Sequence, residues 1–106
     1  MTPLGEFELL VMLAVLRLKE DAYAVTVRQE IETQTGRPAP RGSVYITLDR
    51  LTRKGYLRER NVPGGAARES RVKRVFQPTS AGSAAVKDSL IGLKRMQRGL
   101  GWLTQD

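Results

Sequence analysis

The sequence predicts a mainly helical fold with one small β-hairpin, and three observations carry that reading. Apolar residues recur at helical spacing in four separate stretches, two short strand-like runs flank a Pro-Gly-Gly segment, and glycines and prolines fall between these stretches. A length of 106 residues sets one domain on ordinary size priors, with too little chain for a second core.

The first helix is expected over residues 4–19. Its middle, Leu9 to Leu16 (LLVMLAVL), is apolar on every side, and a helix apolar all round must be buried all round. One face can meet the domain's own core while the other needs a second subunit, which marks Phe7, Leu10 and Val11 as dimer-interface candidates. A core strand shows a similar run, although the total apolar length favours a helix. The run is too short for the roughly 20 residues that span a bilayer. Glu6 and Glu8 precede it, where a secretory leader carries positive charge, so no membrane partner is implied.

Asp21 is placed to cap a second helix from about residue 22 to 35, with Tyr23, Val27 and Ile31 four apart and Gly36 ending it. Arg37-Pro38-Ala39-Pro40 is a stiff linker, because two prolines cannot continue a helix. The third helix, 41–54, separates into two stripes. Val44, Leu48 and Leu51 face inward, and Ser43, Thr47, Arg50 and Lys54 form a polar stripe beside them.

Gly55 stops that helix. Residues 56–60 and 72–77 read as strands around a flexible loop at 61–70 that contains Pro63, Gly64 and Gly65. Thr79 is a good N-cap for a last helix over 80–98. Val86, Leu90, Leu93, Gln97 and Leu100 follow a 4-3-4-3 spacing suited to a helix partner, so Leu90, Leu93 and Leu100 join the interface candidates. Residues 1–78 then make the main unit, including the first helix, and 79–106 a dimerisation helix with a short tail.

The charge is uneven. Residues 37–74 hold eleven Lys and Arg against Asp49, Glu59 and Glu69, a net of +8, while the whole chain nets +7. The entire positive excess therefore sits in the third helix and hairpin, the electrostatic footprint of a polyanion partner. A solvated basic face is the plainer alternative. With neither Cys nor His, disulfides, thiolate nucleophiles, His bases and the usual zinc and haem ligands are excluded, and no cofactor or metal is implied. Glu30 and Glu32 lie two apart on a helix and point different ways, which serves paired carboxylate chemistry poorly, so no enzyme is expected.

Helix, helix, turn, helix, basic hairpin and helix is the order of a winged helix-turn-helix with an added C-terminal dimerisation helix. That module sets its third helix in the major groove of double-stranded DNA and its hairpin on the backbone or in the minor groove. The sequence also resembles the PadR-type transcriptional regulators. The resemblance lies in LGEFELLVMLAVLRL from Leu4, DAYAVTVRQEI from Asp21, GSVYITLDRLTRKGYL from Gly42 and KRVFQPTSAG from Lys73. Ala24 stands where that family has glycine, and Phe76-Gln77-Pro78 departs at the second strand's end, where Pro78 is expected to shorten the strand.

The resemblance implies a bacterial, cytoplasmic homodimeric regulator, with a small-molecule pocket, where present, near the interface. Trp102, the sole tryptophan, marks that candidate pocket; interface packing or a tail position is the duller reading. The DNA-contact candidates are Arg41, Ser43, Tyr45, Thr47, Arg50 and Lys54 on the third helix, and Arg68, Arg71, Lys73 and Arg74 on the wing. Arg50 could instead bridge to Glu30 or Glu32, and Tyr45 could pack on the core edge. The expected activity is repression from a palindromic operator, and an RNA-binding or nonspecific nucleic-acid module is the alternative.

Overall fold

A computed structural model describes residues 3–63 and 72–104 of the chain. It runs α1 (Glu6–Leu18), a 3-10 turn (Lys19–Asp21), α2 (Ala24–Thr35), α3 (Arg41–Arg53), β1 (Leu57–Pro63), β2 (Val72–Pro78), α4 (Ser80–Gln97) and a second 3-10 turn (Gly101–Thr104). The mainly helical architecture with one two-stranded antiparallel sheet is the one expected.

The long apolar run of α1 makes it the centre of the fold, touching α2, α3, α4 and β2. Val11, Met12 and Val15 are fully enclosed among Val27, Leu48, Leu51 and Phe76 in one core. This corrects the expectation for Val11, which lies inside its own subunit and cannot form an interface. Phe7 and Leu10 are half-buried at the core's edge. One small domain thus covers most of an all-apolar helix by surrounding it with three other helices and the hairpin.

α2 starts later than expected, and Asp21 does not cap it. The Thr26 hydroxyl accepts the Tyr23 N–H at 3.0 Å and donates to the Asp21 carbonyl, so the cap comes from within the first turn. The helix ends at Gly36, whose N–H donates to the Glu32 carbonyl at 2.9 Å. Glu32 also accepts the Ala39 N–H at 2.9 Å, which holds the Pro-Ala-Pro linker against α2 and aims the chain into α3.

α3 closes at Gly55, where φ is +83°, a conformation that costs a side-chain-bearing residue energy. The Tyr56 N–H reaches back to the Leu51 carbonyl at 2.9 Å, satisfying an otherwise orphaned acceptor. β1 is longer than expected: Asn61 to Pro63 belong to the strand, paired with Arg74 to Val72. β2 continues through Pro78 opposite Leu57, so this proline does not shorten it. At the strand end no ladder donor is needed from it, and the next N–H, on Thr79, bonds the Tyr56 carbonyl at 3.0 Å. The outer edge of β2 is met by the Phe76 N–H donating to the Ala22 carbonyl at 2.8 Å. The rest of the expected loop lies outside the described residues.

One joint fixes the start of α4. The Thr79 hydroxyl donates to the Gly55 carbonyl at 2.6 Å and accepts the Gly82 N–H at 3.0 Å. Gly82 lies directly on the Tyr56 backbone: a Cβ there would stand 2.0 Å from the Tyr56 oxygen. The Gly55-Tyr56 and Thr79-to-Gly82 motifs are therefore two halves of a single contact. Ala85 and Val86 still pack in the core, beyond Val86 α4 leaves it, and the molecule extends to 54 × 32 × 21 Å.

Candidate nucleic-acid interface

At 3.6 residues per turn, α3 buries Val44, Thr47, Leu48 and Leu51 and turns Arg41, Ser43, Tyr45, Ile46, Arg50 and Arg53 outward. Thr47 is only 4% exposed, which corrects the expectation of a base-facing hydroxyl. The inward stripe is one position wider than Val44, Leu48 and Leu51, and Thr47 fills it. Ile46 and Arg53 are outward residues the sequence reading missed. They share a face at i and i+7, and steps of three, seven and ten from Ser43 reach Ile46, Arg50 and Arg53 in turn.

Lys54 also departs from expectation. Its Nζ donates to Glu8 of α1 at 2.8 Å, and the two side chains are only 23% and 10% exposed. Burial pushes the Glu8 pKa up, but hydrogen bonds from Lys54 and the Gly5 N–H, with the charges of Lys54 and Arg50, outweigh it and leave Glu8 below the usual carboxylate range. Lys54 thus ties the end of α3 to the start of α1.

Arg74 is likewise occupied. Its guanidinium donates from Nε and Nη2 to the two oxygens of Glu59, at 2.9 and 2.8 Å, and from Nη2 to Asp49 of α3 at 2.8 Å. It also lies over the Phe76 ring, 5.3 Å from its centre. The Arg74 pKa is raised by its hydrogen bonds to Glu59 and Asp49, and that of Glu59 is lowered chiefly by Arg74. The network bolts the hairpin to α3. Lys73 stacks over the Tyr23 ring at 4.2 Å from its centre. Arg68 and Arg71 lie outside the described residues.

The remaining cations define the charged surface. Glu30 is held by Arg17 at 2.6 Å, and Glu32 by the Ala39 N–H, so neither bridges to Arg50. Arg41, Arg50, Arg53, Arg58 and Arg60 carry no ion pair among the described residues, and all five are exposed. Three of these arginines surround the outward face of α3 and two lie on β1. Ser43, Ile46 and Arg50 also border an open groove of about 430 Å³, which Phe7 and Leu10 of α1 close from the other side. Tyr45 is 44% exposed beside Val25 and Arg41.

The second half of α4 carries a different surface. Leu90, Ile91, Leu93 and Met96 are exposed along the helix, followed by Leu100, Trp102 and Leu103. Trp102 sits in the final 3-10 turn at 66% exposure. Among the described residues no group of carboxylates could hold a metal, and no helix is long and apolar enough to cross a membrane.

The fold recurs in known structures. A PadR-like transcription factor from Bacteroides fragilis superposes with a TM-score of 0.74 at 21% identity, covering 94% of this chain and 91% of that one. A PadR family transcriptional regulator from Eggerthella lenta gives 0.69 at 24% identity, covering 91% and 81%. One from Clostridium difficile gives 0.72 at 11% identity, covering 95% and 100%. No curated protein shows a significant sequence match. The model of the transcriptional regulator PadR-like family matches residues 12–88, most of the chain. The helical order, the bolted hairpin and that match agree, and the chain belongs to the PadR-like family of transcriptional regulators, a family of regulators rather than enzymes.

Proposed function

We propose that this protein is a homodimeric, sequence-specific repressor that binds a palindromic operator in duplex DNA. The observation that supports it best is the outward face of α3, where Arg41, Arg50 and Arg53 have no ion pair among the described residues and stand around Ser43, Tyr45 and Ile46. A helix of this width fits the major groove, with arginines reaching guanine edges and phosphates. Arg58, Arg60 and Lys73 on the hairpin supply flanking phosphate contacts, joined by Arg68 and Arg71. Lys54 and Arg74 act by holding α3 and the hairpin in place.

Residues 1–78 form the DNA-binding part and 79–106 the dimerisation part. The second copy covers Leu90, Ile91, Leu93 and Leu100, four large apolar side chains on a helix that has left its own core. Phe7 and Leu10 lie at the edge of this contact. Trp102 belongs to the same apolar surface, and a small-molecule effector, if the protein takes one, would bind beside it. Repression follows from occluding a promoter, and a cytoplasmic location follows from where a prokaryotic chromosome lies.

Competition binding tests this reading. An inverted-repeat duplex chosen by the protein should outcompete generic duplex and structured RNA by roughly 10³ at moderate salt. Equal competition by all three would make the protein a nonspecific nucleic-acid binder and overturn the regulator reading.

A further inference from the structure

Ile46 is the anomaly of the outward face. It is a β-branched aliphatic residue 57% exposed in the middle of α3, with arginines and hydroxyls along its own helix and the groove that Phe7 and Leu10 close on one side. A β-branched side chain lowers helix propensity, and more than half of this one is left uncovered by the described residues. It is not part of the apolar surface on α4, which lies on another element. Its exposed neighbours are Ser43 and Tyr45, with Arg50 one turn further and Arg53 two turns further on the same face.

The major groove offers such a side chain one apolar partner. Each base pair there shows donors and acceptors, and only thymine adds a methyl group, at C5. An isoleucine presented among unpaired arginines is complementary to that methyl: the cations bring the helix to the polyanion, and the aliphatic side chain has a single apolar target on the groove floor. We infer that Ile46 is a specificity-determining residue that reads a thymine methyl in each half-site. The inference rests on the regulator reading and adds a base identity to it.

The test uses the duplex that the full-length protein selects from a random pool. Each thymine of a half-site is replaced singly by uracil, which removes the methyl and leaves the pairing edge intact. Affinities are then measured for the wild type, Ile46→Ala and Ile46→Val. One uracil should weaken wild-type binding by about fourfold, the value of one buried methyl group. Ile46→Ala should bind that uracil duplex and its thymine parent equally well, and Ile46→Val should keep part of the difference.

Ile46 is exposed, so the variants should fold, and matched unfolding midpoints confirm it. The inference is overturned if the enriched half-site has no thymine, or if every uracil replacement changes wild-type and Ile46→Ala binding by the same ratio. Those outcomes leave the regulator reading standing. A pool that enriches no sequence contradicts both.

Discussion

The joint between Gly82 and the Tyr56 backbone yields a prediction whose size follows from geometry. In Gly82→Ala the new Cβ would meet the Tyr56 oxygen at 2.0 Å, its carbon at 2.9 Å and the Met12 Cε at 3.0 Å. Two of these are backbone atoms that no rotamer change can move aside. Ordinary contact begins near 3.4 Å, so α4 must lift by more than an ångström at its first turn. That motion stretches Thr79 N–H to the Tyr56 carbonyl, now 3.0 Å, and the Thr79 hydroxyl to the Gly55 carbonyl, now 2.6 Å. Two hydrogen bonds at about 1 kcal/mol each, with an overpacking cost of about 1–3 kcal/mol, give a loss of about 3–5 kcal/mol. In a domain of this size each kcal/mol lowers Tm by about 4–8 °C. Chemical and thermal unfolding of the variant measure it. Gly92→Ala on the same helix is the control, since among the described residues nothing lies within 4 Å of its Cβ position, and it should be neutral or stabilise by up to about 1 kcal/mol. Equal unfolding midpoints for Gly82→Ala and wild type would refute the close-contact argument.

Glu8 has a lowered pKa in the folded state, so its contribution is present above the unfolded value of 4.5 and lost as pH falls through the folded one. Glu8→Gln should therefore cost about 1–3 kcal/mol at pH 7, the value of a hydrogen bond to a charged group, and progressively less than that below pH 4.5, read from denaturant titrations across pH. A difference that does not vary with pH would remove the ion pair from the account. For Arg74→Ala, whose network is about a third exposed, the stability loss should stay under about 1 kcal/mol. Its affinity for all duplexes should fall without a change in salt dependence; a slope reduced by about one unit would instead make Arg74 a direct phosphate contact. Leu93→Asp places a charge in the apolar surface of α4, so sedimentation should give two chains for the wild type and one for the variant. One chain for both would contradict the dimer.

Much of this fold was legible because its punctuation is local. Gly36, Gly55 and Thr79 end or begin helices for reasons contained in a few residues, and the structure places all three at such boundaries. The side of α3 was harder to read. Val44, Leu48 and Leu51 define an inward direction, but the width of that stripe depends on how closely α1 approaches, so Thr47 was read as outward when it is enclosed. Val11 failed for the opposite reason: in an all-apolar helix no residue marks which face meets its own subunit.

Ion pairs between distant positions were not legible at all. Lys54 and Glu8 are 46 residues apart and Arg74 and Asp49 are 25 apart, and a count of charges cannot say which cations are already neutralised. In the proposed interface Lys54 and Arg74, held by Glu8 and by Asp49 and Glu59, pass from contacts to supports. Arg53 and Ile46 come forward in their place. The positive excess remains in the central segment, and among the described residues its arginines without an ion pair lie on α3 and β1.

The central claim is that the outward face of α3 reads bases. Selection of bound sequences from random duplex DNA, run in parallel for wild type and Arg50→Ala, tests it most directly. The wild type should enrich an inverted repeat with half-sites about 10 base pairs apart. Arg50→Ala should still bind, at a cost of roughly 1–3 kcal/mol, and lose its preference at one position in each half-site. An Arg50→Ala pool with the same preferences as the wild type would contradict the claim.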